Sequence, residues 1–467
     1  MAQAQESGAG NAETVPGYDV VVVGAGGDGL TAALRAHDRG LSVLVLERSE
    51  RYGGTTAVSG GGIWVPNNHQ IAELGGSDSY EEALEYCRTV IGEDFDEARV
   101  RAYLENAPEM VRYLEREADA PFRSVVRYPD YYPHLPGGRS GYRNMEPVPF
   151  DARQLGDDYE NLRPPFDATL VFGRLGMTQV EAHKLFVRER GWLRLLLGLV
   201  VRYALDVRWR LYTRRDRRLT LGNALVARLG RALRERGIPL WLKTPLRGLE
   251  LDGERVVAVT AEHEGRTLRI PARHGVILAS GGFESNQSMR EEYLPHPTRA
   301  EWTAAPRTNY GEAIRAGQEA GAGLALMDRV WGVPTVHVPG DDKQHGIFVE
   351  RASPGCVIVN RQGRRFVNET APYPDIIDAM YADHARTGGS VPAWMVFDAD
   401  FRSSYPCGPL MPASIQPDRR VPKELWGDVL FRAESLHELA AKVGLDPEGL
   451  HATAERMNEY ARSGVDE

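Results

Sequence analysis

Cysteine is scarce in this sequence. Cys87, Cys356 and Cys407 are the only three in 467 residues, and no CxxC pair occurs among them. That count argues against a disulfide framework and against a cysteine zinc site, and it suits a reducing cytoplasm. The 12 histidines show no ligand spacing with acids or cysteines, so no metal centre is expected. Basic charge is wanting too: the formal net charge is −9, whereas a general nucleic-acid binder normally carries a basic face. No apolar run reaches the roughly 20 residues that a bilayer-spanning helix needs. Residues 1–16, MAQAQESGAGNAETVP, have neither a basic start nor an apolar stretch, and they read as a disordered tail and not as a signal peptide. Internal repeats and low-complexity tracts are missing as well.

What is present is ordinary globular composition, 42% hydrophobic and 26% charged, over a length that suits two or more domains. One segment qualifies solubility. Residues 192–205, WLRLLLGLVVRYAL, are strongly apolar, and the arginine-dense DVRWRLYTRRDRR follows them. Two readings stand for this insert of about 186–218. The plainer one is a buried helix; the other is a helix lying in a membrane surface, its arginines facing anionic headgroups.

Residues 18–23, YDVVVV, form an apolar β-branched run of the kind found in strands buried on both faces. A glycine turn, the helical LTAALRAHDRG and a second run, LSVLVLE, complete a compact βαβ unit. Further along, Ser79 and Glu82 make a capping box for a helix near 79–91, and another helix is expected near 96–116. Residues 120–170, rich in proline, tyrosine and glycine, look like irregular connection. GNALVARLGRALRERG reads as a helix, and two strands meet at the turn LDGE. HGVILASGG, residues 274–282, reads as another buried strand ending in glycines. Ser435 and Asp446–Pro447 open two final helices.

The glycine turn reads Gly24-Ala25-Gly26-Gly27-Asp28-Gly29. A GxGxxG pattern alone is weak, but this one sits between a strand and a helix, and Glu47 ends the next strand at the expected distance. Gly24, Gly26 and Gly29 permit a tight turn and a close approach of backbone to a pyrophosphate at the helix N-terminus, where unpaired N–H groups favour anions. Glu47 suits a ribose hydroxyl. Asp28 departs from the pattern by setting a negative charge beside the phosphates. The alternative is a glycine turn that binds nothing. After Glu47 and Arg48 comes a stretch with no use in a simple nicotinamide dehydrogenase: Gly53, Gly54, Thr55 and Thr56, then Ser59, Gly60, Gly61 and Gly62. Such density of glycine and hydroxyl residues lets amides face a large planar ligand.

On these residues the chain resembles FAD-dependent proteins of the fumarate reductase and succinate dehydrogenase-like superfamily. VILASGGFESN is similar to that family's second conserved strand, which brings Ala279, Gly281 and Gly282 near the flavin; Val256 or Thr244 would border the adenine. Within that superfamily the chain looks like the steroid-directed branch, the 3-ketosteroid Δ1-dehydrogenases. YPDYYPHLPGGRSGYR, residues 128–143, is similar to its segment bearing an active-site tyrosine, here Tyr131. GRRFVNETAPY is similar to its motif ending in Ala-Pro-Tyr, whose tyrosine, here Tyr373, is the base.

The resemblance implies an α/β fold: a Rossmann-like FAD-binding domain over 17–305 and a smaller mixed α+β substrate domain over 306–467. It implies non-covalent FAD, an apolar ketone substrate (a steroid) and an external electron acceptor. Tyr373 would remove the C2 proton, assisted by Tyr131, while the C1 hydride passes to the flavin N5. Relatives continue with a third flavin segment, and none follows residue 283 here, so the chain reads as a C-terminally incomplete member with carbonyl polarisation impaired. Three rivals are a fumarate reductase-like enzyme, a ketosteroid dehydrogenase making a different ring double bond, and a non-catalytic flavoprotein left by truncation. The expected location is the cytoplasm, with a peripheral membrane contact through 192–218 under the second reading of that segment.

Overall fold

Alternation along a single strand shows why this sequence makes a doubly covered sheet. In the computed structural model, which describes residues 12–341 and 343–466, Tyr18–Val23 is a strand whose Val20 and Val22 enter one apolar core and whose Val21 and Val23 enter another. Each fully buried valine or leucine contributes roughly 1.5–3 kcal/mol, so a strand apolar on both faces is stable only between two layers. The strand pairs in parallel with Val43–Leu46 on one side and with the end of Arg266–Leu278 on the other. Leu240–Trp241 extends the parallel part beyond Val43–Leu46. On the opposite flank, Leu246–Asp252 and Arg255–His263 turn at the expected LDGE and continue the sheet antiparallel.

Helices follow from the same periodicity argument. Gly27–His37 buries Leu30, Ala33 and Leu34 on one face, the i, i+3, i+4 spacing of an amphipathic helix. Leu221–Glu235 buries its apolar side in the same core. Only half of the expected capping box forms at Tyr80–Ile91: Ser79 Oγ accepts from the Glu82 amide at 3.2 Å, but the Ser79 amide donates to Asp78 and the Glu82 carboxylate accepts from Ser79 Oγ instead. Glu97–Glu117 starts on Asp96.

Of the described residues, those through Phe283 together with Thr308–Leu324 pack as one compact unit, the α/β one. Glu284–Arg307 and the described residues from Ala325 onward form a second. The chain thus passes between units three times, where the sequence suggests one passage near residue 305. The second unit is mixed α+β. Cys356–Val359 pairs antiparallel with Trp394–Phe397, and Val359, Ala440, Leu445 and Leu450 make a small core under the last two helices. Those helices begin at Leu436 and Pro447, capped by Ser435 and Asp446 as expected.

Two expectations are corrected here. Residues 1–11 of the expected disordered tail lie outside the described residues, but its end is ordered: Glu13 and Thr14 pair in parallel with Leu268 and Arg269. Backbone pairing with an open sheet edge suffices to order a polar segment. The helix Trp192–Leu205 is not buried either. Leu199 is its one buried residue, while Leu193, Leu197 and Leu205 are 62%, 63% and 75% exposed. Among the described residues no helix is long and apolar enough to cross a membrane.

Candidate functional site

The carboxyl ends of the parallel strands open onto a cleft of about 330 Å³. That position is where open α/β sheets bind ligands. The glycine turn forms its floor. A side chain at Gly29 would place Cβ 2.0 Å from the Gly24 carbonyl oxygen, so glycine is required for the helix to pack on the turn. Gly24 has φ +109° and lies equally tight against Ala279. Gly26 differs. A Cβ there would meet nothing nearer than Asp28 Oδ1 at 3.0 Å, so its missing side chain leaves room in the cleft itself.

Protein groups hold this cradle in shape. Glu47, nearly buried, accepts from the Ala25 amide at 3.1 Å, from the Ser49 amide at 2.9 Å and from Ser49 Oγ at 2.8 Å. A carboxylate has about four acceptor sites, which leaves roughly one for a ribose hydroxyl. Thr56 Oγ1 accepts from the Gly27 amide at 3.1 Å, and the Gly53 amide bonds the Ala25 carbonyl at 2.8 Å. The second glycine segment is therefore tied to the first.

Of the residues expected at the cofactor, Gly24, Ala25, Gly26, Glu47, Arg48, Gly54, Thr55, Thr56, Ala279 and Gly281 line the cleft. Asp28 lines it too, exposed at the rim. Gly29 packs on Gly24 and Gly53 on Ala57 and Val226, and neither they nor Gly282 are among the lining residues. Ser59–Gly62 goes elsewhere in this structure: a Cβ at Gly61 would sit 2.3 Å from the Gly222 amide nitrogen, and Ser59 Oγ bonds the Thr56 carbonyl and the Gly61 amide. That stretch packs on the start of Leu221–Glu235. Thr244 lines the cleft, whereas Val256 lies in a strand away from it. Thr308, Asn309 and Glu312 were not expected. Asn309 Nδ2 donates to Thr55 Oγ1 at 3.2 Å, and Glu312 pairs with Arg48, whose guanidinium also covers the Tyr310 ring at 4.5 Å. Their one sequence signal is Gly311, which with φ +77° caps the helix Glu312–Glu319.

The donor set fits a flavin dinucleotide. Amides at the start of Gly27–His37 suit the pyrophosphate, Glu47 suits the ribose, and the small residues at Gly54–Thr56 and Ala279–Gly281 suit a flat ring.

Tyr131 lies in the first unit, 39% exposed. Its neighbour Asp130 anchors it: Trp64 Nε1 donates to Asp130 Oδ1 at 2.7 Å, and Arg143 donates to Asp130 Oδ2 at 2.9 Å. Arg143 is 1% exposed and also bonds both oxygens of Asp78. Tyr373 belongs to the second unit and opens the helix Tyr373–Thr387. Phe348 meets its ring edge-on, with centroids 5.4 Å apart, and Trp331 Nε1 donates to its hydroxyl oxygen at 2.8 Å. The preceding loop is held by Arg351, buried at 4% exposure, whose Nη1 donates to the carbonyls of Glu369 and of Ala371, the latter at 2.7 Å. Burial pushes the Arg351 guanidinium below its ordinary range and the Glu350 carboxyl above its own. Burial, then the Glu369 charge, pushes the Cys356 thiol up to about 12.

Known proteins bear on this arrangement. The profile of the FAD binding domain family matches residues 19–467. The chain is 39% identical over 462 residues to the 3-oxosteroid 1-dehydrogenase of Mycolicibacterium smegmatis, covering 96% of this chain and 79% of that protein. It is 39% identical to the enzyme of the same name from Comamonas testosteroni, over 96% of this chain and 78% of the relative. Among solved structures, 3-ketosteroid delta1-dehydrogenase from Sterolibacterium denitrificans, in complex with 1,4-androstadiene-3,17-dione, superposes with a TM-score of 0.93. It shares 49% identity, over 96% of this chain and 80% of its own. A glycine cradle preshaped by Glu47, on a chain matched almost from end to end by that profile, places this protein in the FAD-binding family.

Proposed function

We propose that the protein is an FAD-dependent dehydrogenase of 3-ketosteroids that introduces the C1–C2 double bond. The observation that carries this reading is the likeness, over nearly the whole chain, to a 3-ketosteroid dehydrogenase holding a steroid. When bound, FAD supplies the acceptor for the hydride leaving C1; an external acceptor then reoxidises it. The cleft residues Gly24–Gly26, Glu47 and Gly54–Thr56 hold it, with Ala279 and Gly281 beside them.

Tyr373 is the base. The proton at C2 lies beside the 3-keto group, which makes it acidic enough for a phenolate to remove. Around Tyr373 the second unit presents Trp331, Phe348 and Val349 at 76%, 45% and 57% exposure. A flat apolar ketone suits such a surface, and a dicarboxylate does not. Tyr131, on its anchored loop, is the assisting phenol.

The test is an anaerobic titration of the FAD-loaded protein with a 3-ketosteroid. Loss of the flavin's visible colour, with a 1,4-diene as product, is the expected result. Loss of colour with succinate alone, or a product unsaturated elsewhere in the ring, would overturn it.

The exposed stripe of Leu193, Leu197, Val201 and Leu205 recurs at helical spacing, and Val207 and Leu211 continue it. Arg190, Arg194 and Arg208 stand exposed beside it. Apolar stripe and cations together suit the surface of an anionic bilayer. Flotation with phosphatidylserine vesicles is expected, weaker in high salt and lost in the Leu197→Asp, Leu211→Asp double variant. Equal flotation of that variant would remove the proposal.

A further inference from the structure

Tyr373 needs help that its own segment does not supply. An isolated phenol loses its proton near pH 10, so a base of this kind works at lower pH only where something favours the charged oxygen. The helix it opens has no side-chain cap. One group that reaches the oxygen comes from 42 residues upstream: Trp331 Nε1, 2.8 Å from Tyr373 Oη.

Three features make this contact more than a chance approach. An indole N–H can only donate, so the phenol oxygen must accept from it. The backbone beside Trp331 is seated on the helix that Tyr373 opens, because a Cβ at Gly332 would come within 2.9 Å of the Ile377 side chain, one turn further along. Finally, Arg351 holds the carbonyls of Glu369 and Ala371 on the approach to Tyr373. The ring is thus fixed at its backbone by Arg351, along one edge by Phe348, and at its oxygen by Trp331.

We propose that Trp331 is a positioning residue for the base: its indole N–H aims the Tyr373 oxygen and stabilises the phenolate. A hydrogen bond to a charged acceptor is about twice as strong as one to a neutral acceptor, so the contact favours the deprotonated form. The proposal rests on the reading of Tyr373 as base. Arg351 also faces Tyr373 electrostatically, and Glu350, Glu369 and Cys356 face Arg351 in turn; Asp375 lies in the first turn of the same helix. Trp331 and Phe348 carry no charge. All of these titratable groups are retained in the test, so a change in pH dependence reports the lost N–H.

The experiment compares the FAD-loaded wild type, Trp331→Phe, Trp331→His and Tyr373→Phe, each followed from acid to alkaline pH with a 3-ketosteroid. Trp331→Phe keeps an aromatic ring without the N–H, and the site is 76% exposed, so folding is little disturbed. Its rising limb in kcat is expected to move upward by about one pH unit, with turnover falling roughly tenfold at neutral pH and recovering in alkali. Trp331→His, whose ring can donate, is expected to restore the limb toward wild type. An equal loss at every pH, or a rise in KM with the limb unmoved, overturns the proposal while leaving the base in place, provided that Tyr373→Phe is inactive. If Tyr373→Phe stays active, the base assignment itself falls, and this inference falls with it.

Discussion

Each of the two tyrosine-bearing segments hangs on a buried arginine, and the two arginines are satisfied differently. Arg143, beside Tyr131's loop, sits between the carboxylates of Asp78 and Asp130, both 2% exposed at the side chain. Arg351, beside Tyr373, gives its hydrogen bonds to neutral carbonyls. A buried charge is costly, and opposite charge offsets that cost better than a carbonyl dipole does. The loop at Tyr131 is thus locked by direct ion pairs, whereas that at Tyr373 is held by a cation that bonds carbonyls while the Glu350 and Glu369 carboxylates act on it through space. Burial holds the Arg351 guanidinium below its ordinary range, against the pull of the Glu350 and Glu369 charges.

The largest effect expected from this contrast is on turnover. Tyr373→Phe is expected to lower kcat by roughly 10²–10⁴-fold, and Tyr131→Phe by less than that. The reverse order in single-turnover flavin reduction would exchange their roles. Stability inverts the ranking. Arg143→Met leaves two buried carboxylates unpaired and is expected to cost about 3–5 kcal/mol in urea unfolding. Arg351→Met leaves two carbonyls unpaired and is expected to cost about 1–3 kcal/mol. Equal costs would erase the distinction drawn between them.

Smaller effects lie outside the two loops. Asp28→Asn removes the charge at the rim of the glycine cradle and is expected to tighten FAD binding roughly two- to fivefold by calorimetry. The smallest concerns alkaline pH. Burial pushes the thiols of Cys356 and Cys407 up to about 12, against 9.0 for a free thiol. The folded chain keeps these protons while the unfolded chain loses them near pH 9, so this contribution is complete below pH 9 and is lost as pH rises toward 12. Unfolding midpoints that fall between pH 9 and 11, and fall less in Cys356→Ala, are the expected signature.

Legibility in the sequence followed the distance between partners. The glycine turn, Glu47 and the segment at Gly53–Thr56 are local, and both the βαβ unit and most of the cleft could be read from them. Asn309 and Glu312 meet Thr55 and Arg48 across more than 250 residues, and no short-range pattern announces such a meeting. Trp331 escaped for the same reason. Ser59–Gly62 shows another limit: a glycine that lets backbone approach a ligand looks, in sequence, like a glycine that lets backbone approach a helix, as Gly61 does at Gly222. Residues 192–205 show a third limit. Apolar periodicity reveals that a helix has a greasy face, and says nothing of what, if anything, covers it.

Glu47 has one more consequence. Because its carboxylate ties Ala25 to Ser49, a cofactor docking there is expected to meet a loop already braced by the chain's own hydrogen bonds. Loading is then docking onto a rigid template, with little ordering entropy left to lose. Removal of the flavin by dialysis is then expected to be reversible, which recovery of the visible spectrum on adding FAD back would check.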